Sequence, residues 1–459
     1  MTTTHTSRSS CPPMGWNSWD CFGTTVTEDE VLANARFMAE HLAPYGWDTV
    51  VVDIDWSDPT ARSHGYNPDA PLVMDEYGRL QPDPGRFPSA ADGTGFTALA
   101  AQIHDLGLRF GIHVMRGIPR LALDRNTPVL GATAGPGGDP VRARDVADPS
   151  NACEWNPDMV GLDHSVPGAG VYYDSVLALY AGWGVDFLKV DDMLWPYQAA
   201  EIEAFAGAIG RSGRDIELSL SPGRDLSLTR LPHLREHATM WRISDDLWDR
   251  WEDVEANFAR FARWAPHSGP GGWADGDMLP LGHVGIRAER GEDRSSRLTP
   301  DEQQTLMTLW VIARSPLMIG GDLPTSDAPT IALLSNPEVL AVHAASHGAR
   351  EVFREDPLIL WTAQGDENDV QYVAAFNVGS EELQVSLDAQ NLALPSDLAA
   401  GAERGGELRE LWSGHVLTPR AVTTQSDAAH GVAPGSSAID LVLPAHGAAL
   451  LRWTPAAGD

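Results

Sequence analysis

Eight short apolar segments alternate with helix-patterned stretches through the first two-thirds of the chain, no glycine-rich phosphate loop follows the first of them, and the texture changes beyond Ser335. These observations predict an α/β protein, a (β/α)8 TIM barrel over residues 1–335 with a C-terminal antiparallel β-sandwich domain over 336–459. A doubly wound open sheet is the fold alternative, and the missing phosphate loop counts against it.

The first strand candidate is the segment 14–19. Thr27 and Glu30 have the spacing of a capping box, and Val31, Ala35, Met38 and Leu42 continue at helical spacing until Gly46. Residues 48–56 form the second strand candidate, followed by a polar, proline-rich excursion, a helix over 96–106 and a third strand at 109–115. Residues 117–170 read as a long irregular connection around Cys153-Glu154-Trp155, and a connection of that length is usually a binding loop or lid. It could equally join a second copy in a homo-oligomer. A helix at 171–183 leads to the fourth strand, 185–192; strands at 215–221 and 238–244, an extended segment at 269–279 and a strand at 316–321 complete the set. Short apolar runs near 358–361, 373–376 and 449–453, separated by polar turns, mark the β domain, to which a structural role is assigned.

Composition narrows the partners. With 64 acidic and 32 basic residues the formal charge is -32, which argues against nucleic acid or an anionic membrane and fits a neutral small molecule such as a carbohydrate. Cys11, Cys21 and Cys153 are too sparse and irregular for a disulfide framework and read as free thiols. The polar N-terminal stretch has no apolar core of a secretion signal, so the expectation is a cytoplasmic protein.

The organising stretch is Val185-Asp186-Phe187-Leu188-Lys189-Val190-Asp191-Asp192. Alternation places Lys189 and Asp191 on one face and Asp192 on the other. A Lys and an Asp at the tip of a buried strand are costly unless paired, solvated or used. In a barrel of this kind the site lies at the C-terminal strand ends. The side chains expected there are Trp16, Asp53, Asp55, His113, Lys189, Asp191, Ser219, Ser221, Arg242, Asp246, Asp275 and Asp277. Carboxylates, cations, hydroxyls and tryptophans suit a sugar, and glycoside hydrolysis needs two carboxyl groups flanking the scissile bond.

Four ordered motifs carry a family resemblance: Met14-Gly15-Trp16-Asn17-Ser18-Trp19, Phe187-Leu188-Lys189-Val190-Asp191, Trp241-Arg242-Ile243-Ser244-Asp245-Asp246 and Gly271-Gly272-Trp273-Ala274-Asp275-Gly276-Asp277-Met278-Leu279. The chain resembles glycoside hydrolase family 27, the α-galactosidase and α-N-acetylgalactosaminidase group of the melibiase-like clan. The resemblance implies a retaining exo-acting hydrolase with Asp191 as nucleophile and Asp246 as acid/base, their carboxyls about 5–5.5 Å apart as retention requires. It also implies Lys189, Arg242 and Asp53 as sugar-hydroxyl ligands, Trp16 as a wall against the ring, and no metal or organic cofactor.

The departures concern the sugar. The family usually has adjacent aspartates after its second strand; here the order is Asp53-Ile54-Asp55. Parity predicts that Ile54 faces away while Asp55 joins Asp53. Either Asp55 replaces the second carboxylate, or the 6-hydroxymethyl contact is lost, which favours β-L-arabinopyranose. Ser219 and Ser221 stand where galactose enzymes often carry Glu-Trp and resemble the acetamido-sugar branch. His113 stands where a Tyr is common, and Asp277 is expected at the barrel mouth. Readings of another class are a non-catalytic sugar-binding protein and a metal-dependent barrel lyase; the Asp53/Asp55 and Asp275/Asp277 pairs lack the His cluster or loop pattern of a metal site.

Overall fold

The computed structural model describes residues 10–67, 69–135, 137–366, 370–388, 406–418, 420–421 and 437–455. An eight-stranded parallel sheet organises it: β1 (Met14–Asn17), β2 (Thr49–Val52), β3 (Arg109–Met115), β4 (Phe187–Asp191), β5 (Glu217–Leu220), β6 (Met240–Arg242), β7 (Trp273–Asp275) and β8 (Leu317–Ile319). Its order is β7-β6-β5-β4-β3-β2-β1-β8, sequential as in a barrel. Leu279 pairs in parallel with Ile319 of β8 and so continues the sheet past β8.

By contact density the chain forms two compact units. The first contains residues 1–247, 277–296 and 317–327. Its helices include α1 (Glu28–His41), α2 (Thr97–Asp105), α3 (Pro167–Trp183), α4 (Ala199–Ser212) and α5 (Leu231–His237). The capping box that opens α1 is real: the Thr27 N–H and hydroxyl both donate to Glu30 Oε2, at 3.0 and 2.8 Å. Gly15 lets β1 approach β2 closely, since a Cβ there would lie 2.2 Å from the Thr49 carbonyl oxygen. Register aligns His113 with Lys189 and Ser219 with Lys189, so three neighbouring strands contribute one polar row. The barrel strands are shorter than the apolar runs that suggested them, because β2 stops at Val52 and β6 at Arg242 and the chain then turns.

The connection expected to be irregular is folded. Ile118–Pro119, Met159–Leu162 and Ala147–Ala152 form a three-stranded sheet, and Pro128–Thr133 pairs with Pro140–Arg142. These strands are two to six residues long, too short for a period to register in sequence. Glu201 of α4 anchors the excursion by accepting from the Leu162 N–H at 3.1 Å.

The second unit contains residues 248–276, 297–316 and 328–459. Among the described residues its nine C-terminal strands form sheets of six and three. Strand Ser346–Glu355 starts the larger sheet, and Leu383–Asp388 and Ser437–Leu443 pair in the smaller. Leu360, Val373, Leu387, Leu408, Ile439, Leu441, Leu451 and Trp453 meet between them as a sandwich core. Helices α6 (Trp251–Trp264) and α7 (Pro300–Ala313) belong to this unit. Phe258 packs edge-on against Phe376 at 4.9 Å, and Thr305 donates to the His446 carbonyl at 2.6 Å. All three cysteines are free thiols. Among the described residues no helix is long and apolar enough to cross a membrane.

Candidate active site

The C-terminal strand ends of the first unit surround a cavity of about 200 Å³. Asp53, His113, Lys189, Asp191, Arg242 and Asp246 all line it, and they come from four strands: Asp53 just after β2, His113 from β3, Lys189 and Asp191 from β4, and Arg242 and Asp246 at and after the end of β6. Six side chains separated by up to 193 positions in sequence therefore meet, which is what sequential parallel strands accomplish.

Asp53 is buried and fully engaged. His113 Nδ1 lies 2.8 Å from its Oδ1, Asn17 donates to Oδ2 at 2.8 Å, and Lys189 Nζ stands 3.5 Å from Oδ2. Burial alone would raise its pKa, but the neighbouring His113 and Lys189 win and hold it well below the usual carboxylate range. His113 also reaches Asp191, its Nε2 at 3.4 Å from Oδ2. Burial opposes ionisation of Asp191 as well, and His113 and Lys189 again overcome it and lower its pKa. Between these two acids Lys189 is kept charged: burial disfavours the ammonium, while Asp53 and Asp191 more than offset it.

The backbone after β4 completes the setting of Asp191. Asp192 adopts φ 60°, and its N–H donates to Asp191 Oδ1 at 2.8 Å. Its carboxylate points away, to Arg116 Nη2 at 2.6 Å, while Arg116 Nε donates to its carbonyl at 2.8 Å. Opposite stands Asp246, 41% exposed, with Oδ1 at 3.2 Å from Arg242 Nη2. Arg242 is buried and braced on its other side by Asp277 Oδ1 at 2.8 Å. Gly223 allows the β5 end to pass this strand, since a Cβ there would lie 1.8 Å from the Arg242 carbonyl oxygen.

Several sequence expectations are corrected. Asp55 does not join Asp53. It lies at φ 64° in a second small cavity with Asn156 and Asp158 and does not line the main one, whereas Ile54 lines both. Parity failed because β2 has already ended at Val52. Trp16 is completely buried, its indole N–H donating to the Gly321 carbonyl at 2.9 Å; Trp19, in the helical turn Trp19–Phe22 that follows β1, lines the cavity instead. Ser219 and Ser221 are buried beneath the cavity, and Pro222 is the lining residue there. Asp277 is buried, holding Arg242 and accepting from the Leu247 N–H at 2.8 Å, and does not line the cavity.

Other lining residues escaped sequence reasoning: Trp19, Tyr66, Met278, Glu289 and Arg290. Trp19 and Tyr66 stack at 5.7 Å, and Tyr66 meets Trp155 at 5.3 Å, making an aromatic wall. Trp155 did carry a signal, because it sits in the long connection singled out as a binding loop. Asp20 was also missed. It is buried, its Oδ2 lacks a hydrogen-bond partner, and burial together with nearby Asp277 pushes its pKa well up.

A curled sheet of sequential parallel strands that gathers a deep, cation-braced carboxylate and an exposed one around a single cavity is the arrangement of a glycoside hydrolase. Comparison with known proteins agrees. The family described as alpha galactosidase A matches residues 159–345, and the one described as alpha galactosidase C-terminal beta sandwich domain matches 355–453. A solved family 27 β-L-arabinopyranosidase from Geobacillus stearothermophilus is 45% identical with a TM-score of 0.89, covering 100% of both chains. Alpha-galactosidase 3 of Arabidopsis thaliana is 28% identical over 82% of this chain and 68% of its own. Human alpha-N-acetylgalactosaminidase is 28% identical over 76% of this chain and 73% of its own. The chain belongs to glycoside hydrolase family 27, and it is an α-galactosidase-like enzyme acting on carbohydrate.

Proposed function

We propose that the enzyme removes terminal β-L-arabinopyranosyl groups, with Asp191 as nucleophile and Asp246 as acid/base. The observation that carries this reading is Ile54, an apolar side chain in the cavity wall beside Asp53, while Asp55 lies in another cavity. β-L-Arabinopyranose has the ring configuration of α-D-galactopyranose without the hydroxymethyl group. A sugar hydroxymethyl pressed against Ile54 would leave water without a carboxylate to replace it, and an unmade buried hydrogen bond costs about 1–3 kcal/mol. The 45% identical family 27 relative described as a β-L-arabinopyranosidase supports the same choice. Pro222 in the lining, with Ser219 and Ser221 buried, gives no support to an acetamido pocket.

The chemistry follows two displacements. Asp191 carboxylate attacks the anomeric carbon as its bond to the leaving oxygen breaks, and Asp246 delivers a proton to that oxygen. Water then attacks the same carbon, gives its proton to Asp246 and frees Asp191, so the anomeric configuration is retained. His113 and Lys189 keep Asp191 ionised for attack. Asp53, Lys189 and Arg242 serve as hydroxyl ligands, and Trp19 with Tyr66 and Trp155 supplies the apolar wall.

The test is a panel of aryl glycosides carrying β-L-arabinopyranose, α-D-galactose, α-N-acetylgalactosamine and α-D-glucose. The arabinoside is expected to turn over fastest, with the first-formed sugar retaining its anomeric configuration by proton NMR. Fastest turnover of the acetamido sugar, or inversion, would overturn the reading.

A further inference from the structure

A cluster on the first unit stands apart from the residues that line the carbohydrate cavity. Glu203 lies on α4, and His233 and His237 lie four apart on α5, the spacing that puts two side chains on one helix face. One ligand-type atom from each lies within 4.8 Å of the others. His233 Nε2 is 3.2 Å from Glu203 Oε1. Donors about 2.0–2.1 Å from a tetrahedral zinc are roughly 3.3 Å from one another, so this pair already has the spacing of two ligands. The two imidazole rings lie 4.6 Å apart, and a donor atom of His237 already lies within 4.8 Å of the other two.

We infer that Glu203, His233 and His237 bind a divalent transition-metal cation, zinc by the nature of the donors. Two imidazoles and one carboxylate are a common three-ligand zinc set, with a fourth position left to water. Tyr197 supplies the outer support such a site needs: its hydroxyl is 2.6 Å from His233 Nδ1. A hydroxyl can donate or accept. It can therefore accept from a protonated Nδ1, which leaves the Nε2 lone pair facing Glu203. Access is open, because the Glu203 side chain is 57% exposed. The charges nearby are balanced: Arg230 stacks on the Tyr197 ring at 4.4 Å, and Glu236 Oε2 lies 3.9 Å from His237 Nε2. The bound ion would fasten α4, α5 and the segment at Tyr197, six residues beyond Asp191, and would take no part in bond cleavage.

The test is calorimetric titration of ZnCl2 into the chelator-stripped full chain, with thermal melts in parallel. One equivalent should bind and raise the melting temperature. H233A/H237A should lose both effects while keeping its circular dichroism and its hydrolytic activity. Glu203→Gln provides a second, less disruptive variant and should weaken binding. Y197F should keep the site but lower its affinity about tenfold. No saturable binding to the parent chain, or unchanged binding in both the double-histidine variant and Glu203→Gln, would overturn the inference.

Discussion

Asp53 and Asp55 are two residues apart and have opposite fates. Asp53 lines the main cavity, where His113, Lys189 and Asn17 hold it ionised. Asp55 sits in the small cavity behind, where burial first, then Asp158 and Asp58, push it up to about 7. Asp158 in the same cavity is likewise pushed to about 7 by burial and Asp58. The difference is chiefly one of partners, since burial pushes both carboxyls the same way. Cations converge on the first cavity and acids on the second, so the same residue type is ionised in one and a proton holder in the other.

The largest expected effect comes from the carboxylate those cations serve. Asp191→Ala should lower kcat on the preferred glycoside by about 10⁴-fold or more while the fold persists, if Asp191 is the nucleophile proposed above. Steady-state kinetics beside circular dichroism checks this, and full activity would sink the nucleophile assignment. His113→Phe should come next. It removes a partner shared by Asp53 and Asp191, and breaking a buried pair on one side costs about 3–5 kcal/mol. Denaturant unfolding near neutral pH should show a loss towards the lower figure, since Lys189 and Asn17 still face Asp53.

The smallest effect on activity should come from Asp55→Asn, which tolerates the left-handed backbone at φ 64° and stays outside the carbohydrate cavity. Its signature is in stability. A carboxyl whose folded pKa is raised contributes stability that is full below its unfolded value and lost as pH rises through the folded value. The parent enzyme should therefore lose stability between about pH 4 and about pH 7, and Asp55→Asn should flatten that slope. An unchanged slope would remove Asp55 as its source.

Much of this arrangement was legible in the sequence, and what was legible had a physical period or a reciprocal signature. The alternation of strands and helices, the Thr27–Glu30 capping box and the opposite facing of Asp191 and Asp192 all follow from local geometry. So did the convergence of Asp53, His113, Lys189, Arg242 and Asp246, since strand ends are where a barrel gathers its chemistry. The failures begin where a strand stops. Parity carried past Val52 exchanged Ile54 with Asp55, and the turn after Asn17 exchanged Trp16 with Trp19. Tyr66, Glu289 and Arg290 come from loop segments whose positions depend on distant packing, so no local pattern announces them.

The most direct measurement is the ratio of kcat/KM for aryl β-L-arabinopyranoside over aryl α-D-galactopyranoside, taken for the parent enzyme and for Ile54→Asp. The account predicts that the parent favours the arabinoside and that Ile54→Asp shifts the ratio towards the galactoside by about 10–200-fold, the range for one small substituent in a pocket. A parent enzyme that prefers the galactoside, or a ratio that ignores the residue at position 54, would contradict it.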